Sequence, residues 1–207
     1  MIQSTIHSMF PTPVYFSELN RELTKKELLE VDNIKKDCHN NTGNIVSNNN
    51  YVLNLKEFKD IKNEIDLRIK DYFEKVICSS NNLTPYITQS WLNYTNKKEY
   101  HHQHEHPNSL VSGVFYINSN EEYDKIKFFK KDYYQIIKPE IKKYNLYNSD
   151  NWWFPVKTGN IILFPSSLTH MVEIKQGVNT RISLAFNIFV KGSIGSNDKL
   201  TELNLDG

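Results

Sequence analysis

Cysteine is nearly missing from this sequence: the two present, Cys38 and Cys78, form neither a CxxC pair nor a spaced framework. Neither a cysteine-held metal nor a disulfide scaffold is implied, and reduced thiols in a cytoplasmic compartment are the simpler expectation. Long hydrophobic runs are missing too. No stretch approaches the roughly 18 apolar residues of a membrane span, and the N-terminal MIQSTIHSMFPTPVYF lacks a basic flank leading into an apolar core, which argues against membrane insertion and secretion. Nor does charge of one sign dominate. The 25 Lys and Arg balance 24 Asp and Glu, so no overall field would draw the chain onto nucleic acid or an anionic bilayer. The basic run Lys125 to Lys131 reads as a solvated strand edge. Glycine and proline are scarce, at seven each against 12 Tyr and 11 Phe, a balance that belongs to a folded chain.

A length of 207 residues suits a single domain, 1–207, with a substantial core. Its first part, 1–84, reads as helical support. Thr24-x-x-Glu27 is a capping box that opens a helix running to about Asp37, with Leu28, Val31 and Ile34 on one face. HNNTGNIVSNNN, from His39 to Asn50, reads as a loop. A longer helix spans about Lys56 to Ile77, where Phe58, Ile61, Ile65, Ile69, Tyr72, Phe73 and Val76 recur at spacings of three and four. That stripe requires a sheet to cover it.

From Pro85 the pattern changes to short segments rich in branched and aromatic residues: TQSWLNY, SLVSGVFYIN, KIKFF, GNIILF and RISLAFNIFV. These predict a β core over 85–190, with an insertion at 132–153 where Pro139 interrupts an irregular run, and a C-terminal tail over 191–207. The fold class is mainly β within an α+β domain, a sandwich or jelly roll.

Four of the seven histidines fall within EYHHQHEHPNS. On a strand, His102, His104 and His106 point one way while His101, Gln103 and Glu105 point the other. An HxH pair grips one metal ion when a third ligand arrives from elsewhere, and His170, after GNIILF and a turn, is the candidate. His104, His106 and His170 are the expected set, with His102 the alternative to His106. Glu105 would reach the same ion only through a bulge, so it is expected beside the site or facing solvent. Further on, Arg181, Ser183, Ala185 and Asn187 share a strand face, where a guanidinium and a hydroxyl suit a carboxylate.

In order and spacing, WLNY (91 to 94), HEHPNSLVSGVFYIN (104 to 118), GNIILFPSSLTHMV (159 to 172) and RISLAFN (181 to 187) resemble the 2-oxoglutarate- and Fe(II)-dependent oxygenases. The nearest pattern is that of small bacterial and phage members carrying HxHP followed by SGVxY. The resemblance covers roughly residues 85 to 190. It implies a double-stranded β-helix with N-terminal helices packed on it, and Fe(II) held by the HxH pair and His170. It also implies 2-oxoglutarate as cosubstrate, its far carboxylate on Arg181 and Ser183. Asn93 and Tyr116 are further expected contacts with 2-oxoglutarate or substrate, and Trp91, Tyr94 and Ser112 are candidates to line the cavity. The commonest superfamily pattern is HxD, so His106 stands where an acid usually does.

The activity implied is hydroxylation of a protein side chain or small molecule, with release of succinate and CO2. Two rivals remain at this stage: a cupin-like three-histidine metalloenzyme that needs no keto acid and so no Arg181, and a non-catalytic jelly-roll binding module. Substrate choice resides in loops and is not legible, nor is oligomeric state.

Overall fold

The stripe on the second helix finds its sheet on one side of a long antiparallel array. The computed structural model describes residues 2–130 and 139–205. Helix α1 (Lys25–Ile34) starts as its sequence dictates: the Thr24 hydroxyl accepts from the Glu27 backbone N–H at 3.2 Å, and the Glu27 carboxylate accepts from the Thr24 backbone N–H at 2.7 Å. Arg21 pairs with the same carboxylate at 2.5 Å. That pairing buries Glu27, so the covered face runs through Glu27, Val31 and Ile34 while Leu28, expected inside, is exposed. Helix α2 (Lys59–Tyr72) is entered through a 3-10 turn at Lys56–Phe58 and left through a π-helical turn at Phe73–Ile77. It buries Phe58, Ile61, Ile65, Ile69 and Tyr72, whereas Val76, inside the π turn, loses the register of the stripe and is exposed.

Seven strands make the larger sheet, in the order β1 (Tyr15–Glu18), β9 (Asn160–Pro165), β6 (Val111–Asn118), β11 (Arg181–Lys191), β4 (Thr84–Thr95), β3 (Ile45–Ser47) and β2 (Cys38–Asn40). The smaller sheet runs β5 (His101–His104), β10 (His170–Val172), β7 (Lys125–Phe129), β8 (Asn151–Pro155). Neighbours in both are antiparallel. A short hairpin of β12 (Ser193–Ile194) and β13 (Leu203–Asn204) lies in the tail.

Alternation sorts the side chains into two layers. Ile161 and Leu163 of β9 and Leu184, Phe186 and Ile188 of β11 join the helices in one buried cluster. Ile162 and Phe164 join Val114, Tyr116, Ile126 and Phe128 between the sheets. The result is a double-stranded β-helix with helices on the outer face of its larger sheet. Gly113 of the SGV motif sits under those helices, where a Cβ would lie 2.2 Å from the Phe186 ring, so only glycine fits the crossing of β6 and β11. Because the α2 stripe is structural, Ile65→Ala should cost about 2–4 kcal/mol of unfolding free energy. Denaturant titration would show it, with metal affinity of the folded protein unchanged.

Three sequence expectations need correction. Part of the His39–Asn50 stretch is not a loop but the hairpin β2–β3, which extends the larger sheet through Ile45 and Val46. The basic run is not a sheet edge: β7 lies between β10 and β8, turning Ile126 and Phe128 inward, and Lys127 ion-pairs with Glu173 at 2.7 Å. The stretch expected as an insertion ends earlier than expected, because Asn151 to Trp153 already pair with β7 as part of β8. Residues 132–138 of that stretch lie outside the described residues. Among the described residues no helix is long and apolar enough to cross a membrane.

Candidate metal and carboxylate site

Strand register brings the histidines together. His104, the last residue of β5, pairs directly with His170, the first of β10. Between this pair and the next, Val172 with His101, β5 carries one extra residue, a β-bulge. The bulge breaks the simple alternation expected for this strand. His101 therefore lines the same cavity as His104, whereas His102, expected on that face, does not. His106 lies beyond the strand in the turn His106-Pro107-Asn108. Asn108 takes a φ of 57°, a left-handed conformation that asparagine tolerates better than most residues. The His106 backbone N–H donates to the Ser166 carbonyl at 3.1 Å, fastening this turn to the one that leads into His170.

The side-chain donor atoms of His104, His106 and His170 all lie within 4.8 Å of one another. Ring centroids are 4.3 Å apart for His104 and His170, 4.9 Å for His104 and His106, and 5.2 Å for His106 and His170. His104 Nδ1 donates to the His102 carbonyl at 2.7 Å and His170 Nδ1 to the Leu168 carbonyl at 3.0 Å. A carbonyl can only accept, so each ring keeps its proton on Nδ1 and presents an Nε2 lone pair. Such an outer bond is the usual support of a metal-bound imidazole.

Burial keeps these rings neutral. It pushes the His106 pKa down to about 4 and that of His170 to about 3, with the neighbouring His104 adding to both. His104 is lowered for the same reason, and His101 is driven to about 2. Neutral imidazoles are what a divalent ion needs. In the unfolded chain the same groups titrate near 6.5. Folded-state values below the unfolded one mean that stability from these groups is complete above about pH 6.5 and is lost as pH falls toward 4 and then 3. The thermal midpoint of metal-free protein should accordingly drop between pH 7 and pH 4.5; a midpoint constant across that range would contradict the buried neutral cluster.

Arg181 opens β11 and faces the same cavity, with Ser183 and Ala185 following on its face, as alternation requires. It is 3% exposed. Its Nη2 donates to the Thr95 hydroxyl at 3.0 Å, and its Nη1 stands 3.8 Å from Asp124 Oδ1. Burial lowers its pKa, opposed by Tyr116 and Asp124, and a guanidinium remains charged under any such shift. Tyr116, on β6, is fully enclosed, and burial raises its pKa, so its phenol stays protonated as a possible donor. Asn93 lines the cavity from β4. Its side-chain oxygen accepts from the Asn44 amide at 3.3 Å.

Other candidates lie elsewhere. Tyr94 points to the helix side and donates to the Val31 carbonyl at 2.7 Å, because on β4 it alternates with Asn93 and Thr95. Ser112 is held away from the cavity wall by Ser166 and Asn187, at 2.9 and 3.1 Å. Trp91 does line the cavity, 5.7 Å from the His106 ring between centroids. Glu105 is exposed and accepts from the Thr169 hydroxyl at 2.5 Å, outside the histidine cluster. His101, Asn44, Thr95, Asp124 and Lys175 were not singled out from sequence. Asn44 hides in an Asn-rich stretch, and Asp124 and Lys175 carry no motif at all.

Residues 89–187, most of the β core, match the family model described as "Putative 2OG-Fe(II) oxygenase". No curated protein sequence matches the chain. Among solved structures, a 2OG-Fe(II) oxygenase family oxidoreductase from Burkholderia pseudomallei superposes with a TM-score of 0.55 at 15% identity, covering 84% of this chain and 83% of that one. HygX from Streptomyces hygroscopicus, solved with nickel, 2-oxoglutarate and hygromycin B, gives 0.53 at 11% identity over 86% and 82%. A prolyl-4-hydroxylase from Pseudomonas putida gives 0.54 at 10% identity over 85% and 92%. Identities this low establish the shared jelly-roll fold. The family model covers the stretch that carries His104, His106, His170 and Arg181, so the chain is similar to these oxygenases in the part that builds the site.

Proposed function

We propose that the chain is a dioxygenase that hydroxylates a protein side chain or small molecule, with His104, His106 and His170 holding Fe(II) and Arg181 with Ser183 binding the far carboxylate of 2-oxoglutarate. The observation that carries this reading is a buried guanidinium in the same cavity as three converging neutral imidazoles. A cupin-like site would have no use for that cation. The donor set also suits the metal: imidazole nitrogens serve iron well, and two of the three are already oriented through their Nδ1–H bonds. Donors within 4.8 Å need only small ring rotations to close on one ion at about 2.1 Å from each.

Bound together, Fe(II) and 2-oxoglutarate supply the oxidising chemistry, in which O2 and the keto acid are consumed and succinate, CO2 and a hydroxylated product leave. The chain's own residues orient and enclose. Arg181 has a planar fork of donors for one carboxylate, and Ser183 adds a hydroxyl beside it. The Tyr116 phenol and the Asn93 amide offer neutral donors in the same cavity. Phe164 and Phe128 pack on the His170 ring, with centroids 4.7 and 6.2 Å away, and keep bulk water from that side.

The direct test is succinate formation from 2-oxoglutarate by tag-free protein with added Fe(II), with and without a substrate library. Turnover of the keto acid that depends on Fe(II) is expected. Metal binding without any consumption or binding of 2-oxoglutarate would sink the proposal.

A further inference from the structure

Arg181 has two charged neighbours buried behind the cavity wall, and their arrangement is unusual. Lys175 and Asp124 both have side chains that are completely buried, and Lys175 Nζ lies 2.7 Å from Asp124 Oδ1. Lys175 also donates to Asn179 Oδ1 at 3.0 Å. The other Asp124 oxygen accepts from the Asn120 backbone N–H at 2.8 Å. Both oxygens of the acid are thus engaged before Arg181 is reached.

A carboxylate beside a buried guanidinium ordinarily closes on it in a bidentate pair at 2.7–2.9 Å. Here the nearest approach is 3.8 Å, too long for a hydrogen bond. Arg181 is bonded instead to a neutral hydroxyl, that of Thr95. The buried cluster of Arg181, Asp124 and Lys175 therefore holds two cations against one carboxylate, and burial of unmatched charge is costly unless a counter-ion arrives. The side left open is the cavity that Arg181 and Ser183 line.

We infer that Lys175 is a positioning residue for the cosubstrate: by holding Asp124 it keeps the guanidinium of Arg181 free and leaves the cluster one positive charge in excess, presented to the cavity by Arg181 and matched to a single carboxylate. The inference rests on the proposed reading of the cavity as a 2-oxoglutarate site. It adds a reason for selectivity. A keto acid with an uncharged far end leaves the surplus charge unmatched and is rejected, whereas a diacid completes the cluster. Lys175 acts through Asp124 and Arg181 and touches neither metal nor cosubstrate.

The test uses full-length protein loaded with Mn(II) under argon and titrated with 2-oxoglutarate by calorimetry. The Lys175→Met substitution releases Asp124 to close on Arg181, so affinity for 2-oxoglutarate should fall by about tenfold or more while Mn(II) affinity holds. In the double variant Asp124→Asn, Lys175→Met, the amide no longer competes for the guanidinium, and affinity should return toward that of the parent. A lysine that served only packing would show no such rescue. Equal binding by parent and Lys175→Met, or a double variant as weak as the single one, overturns the inference. Should Lys175→Met fail to fold, Asp124→Asn alone decides: with two cations unopposed, 2-oxoglutarate should raise its thermal midpoint more than it raises the parent's, and an equal or smaller rise overturns the inference. A parent that binds no 2-oxoglutarate at all brings down the functional reading itself, a result distinct from failure of the variants.

Discussion

Replacing Arg181 with alanine should leave the metal bound and remove saturation by 2-oxoglutarate. The guanidinium is enclosed in the cavity wall and bonded to Thr95, with no carboxylate inside hydrogen-bond distance, so its charge is available to a ligand. Truncating one partner of a buried, hydrogen-bonded charge pair typically costs about 2–5 kcal/mol, which corresponds to roughly 30-fold to several-thousand-fold in affinity. The variant should fold, because removing Arg181 leaves Lys175 and Asp124 as a neutral ion pair. Lost binding could therefore not be ascribed to unfolding. Arg181→Lys should recover only part of the affinity, since an ammonium lacks the planar fork. Separate titrations with metal and with keto acid decide the matter. If Arg181→Ala binds 2-oxoglutarate as the parent does, the cosubstrate has another anchor and the proposed site is wrong.

What the sequence made legible, and what it did not, follows from how far each feature depends on distant contacts. Periodicity identified both helices and the main strands because burial on one face repeats locally: Ile61, Ile65 and Ile69 at α2, and Leu184, Phe186 and Ile188 at β11. The same alternation put Arg181, Ser183 and Ala185 on a common face, where the structure also has them. It failed at β5. A bulge there depends on pairing with β10, and no residue between His101 and His104 announces it. Leu28 and Glu27 exchanged places because Arg21, outside the helix, supplies a partner for the acid. Asn44, Asp124 and Lys175 were missed for a related reason. Each is an ordinary polar residue in sequence and gains meaning only from partners 49 to 51 positions away, at Asn93 or at each other.

Loss of the His170 ring should have the larger effect on the metal. His170 is buried, its Nδ1–H is committed to the Leu168 carbonyl, and it faces His104 directly across the β5–β10 pair. Substitution of groups that merely support a ligand already costs about 10- to 100-fold in metal affinity, so deleting one of the three proposed ligands should exceed that. The effect can be read without turnover. A metal present at 1,000 times its Kd stabilises the folded state by about 4 kcal/mol, and a more than 100-fold weaker site would retain less than about 1.5 kcal/mol of that at the same concentration. The metal-induced rise in thermal midpoint should shrink accordingly in His170→Ala. His102→Ala is the matched control. Its Nδ1 is buried without a hydrogen-bond partner, and what His102 gives the site is its backbone carbonyl, which accepts from His104 and survives the substitution. The His102 variant should therefore keep its metal-induced stabilisation. If it instead loses that rise while His106→Ala retains it, then His102, and not His106, completes the site, and the bulged arrangement of β5 would have to give way to the simple alternation that its sequence suggests.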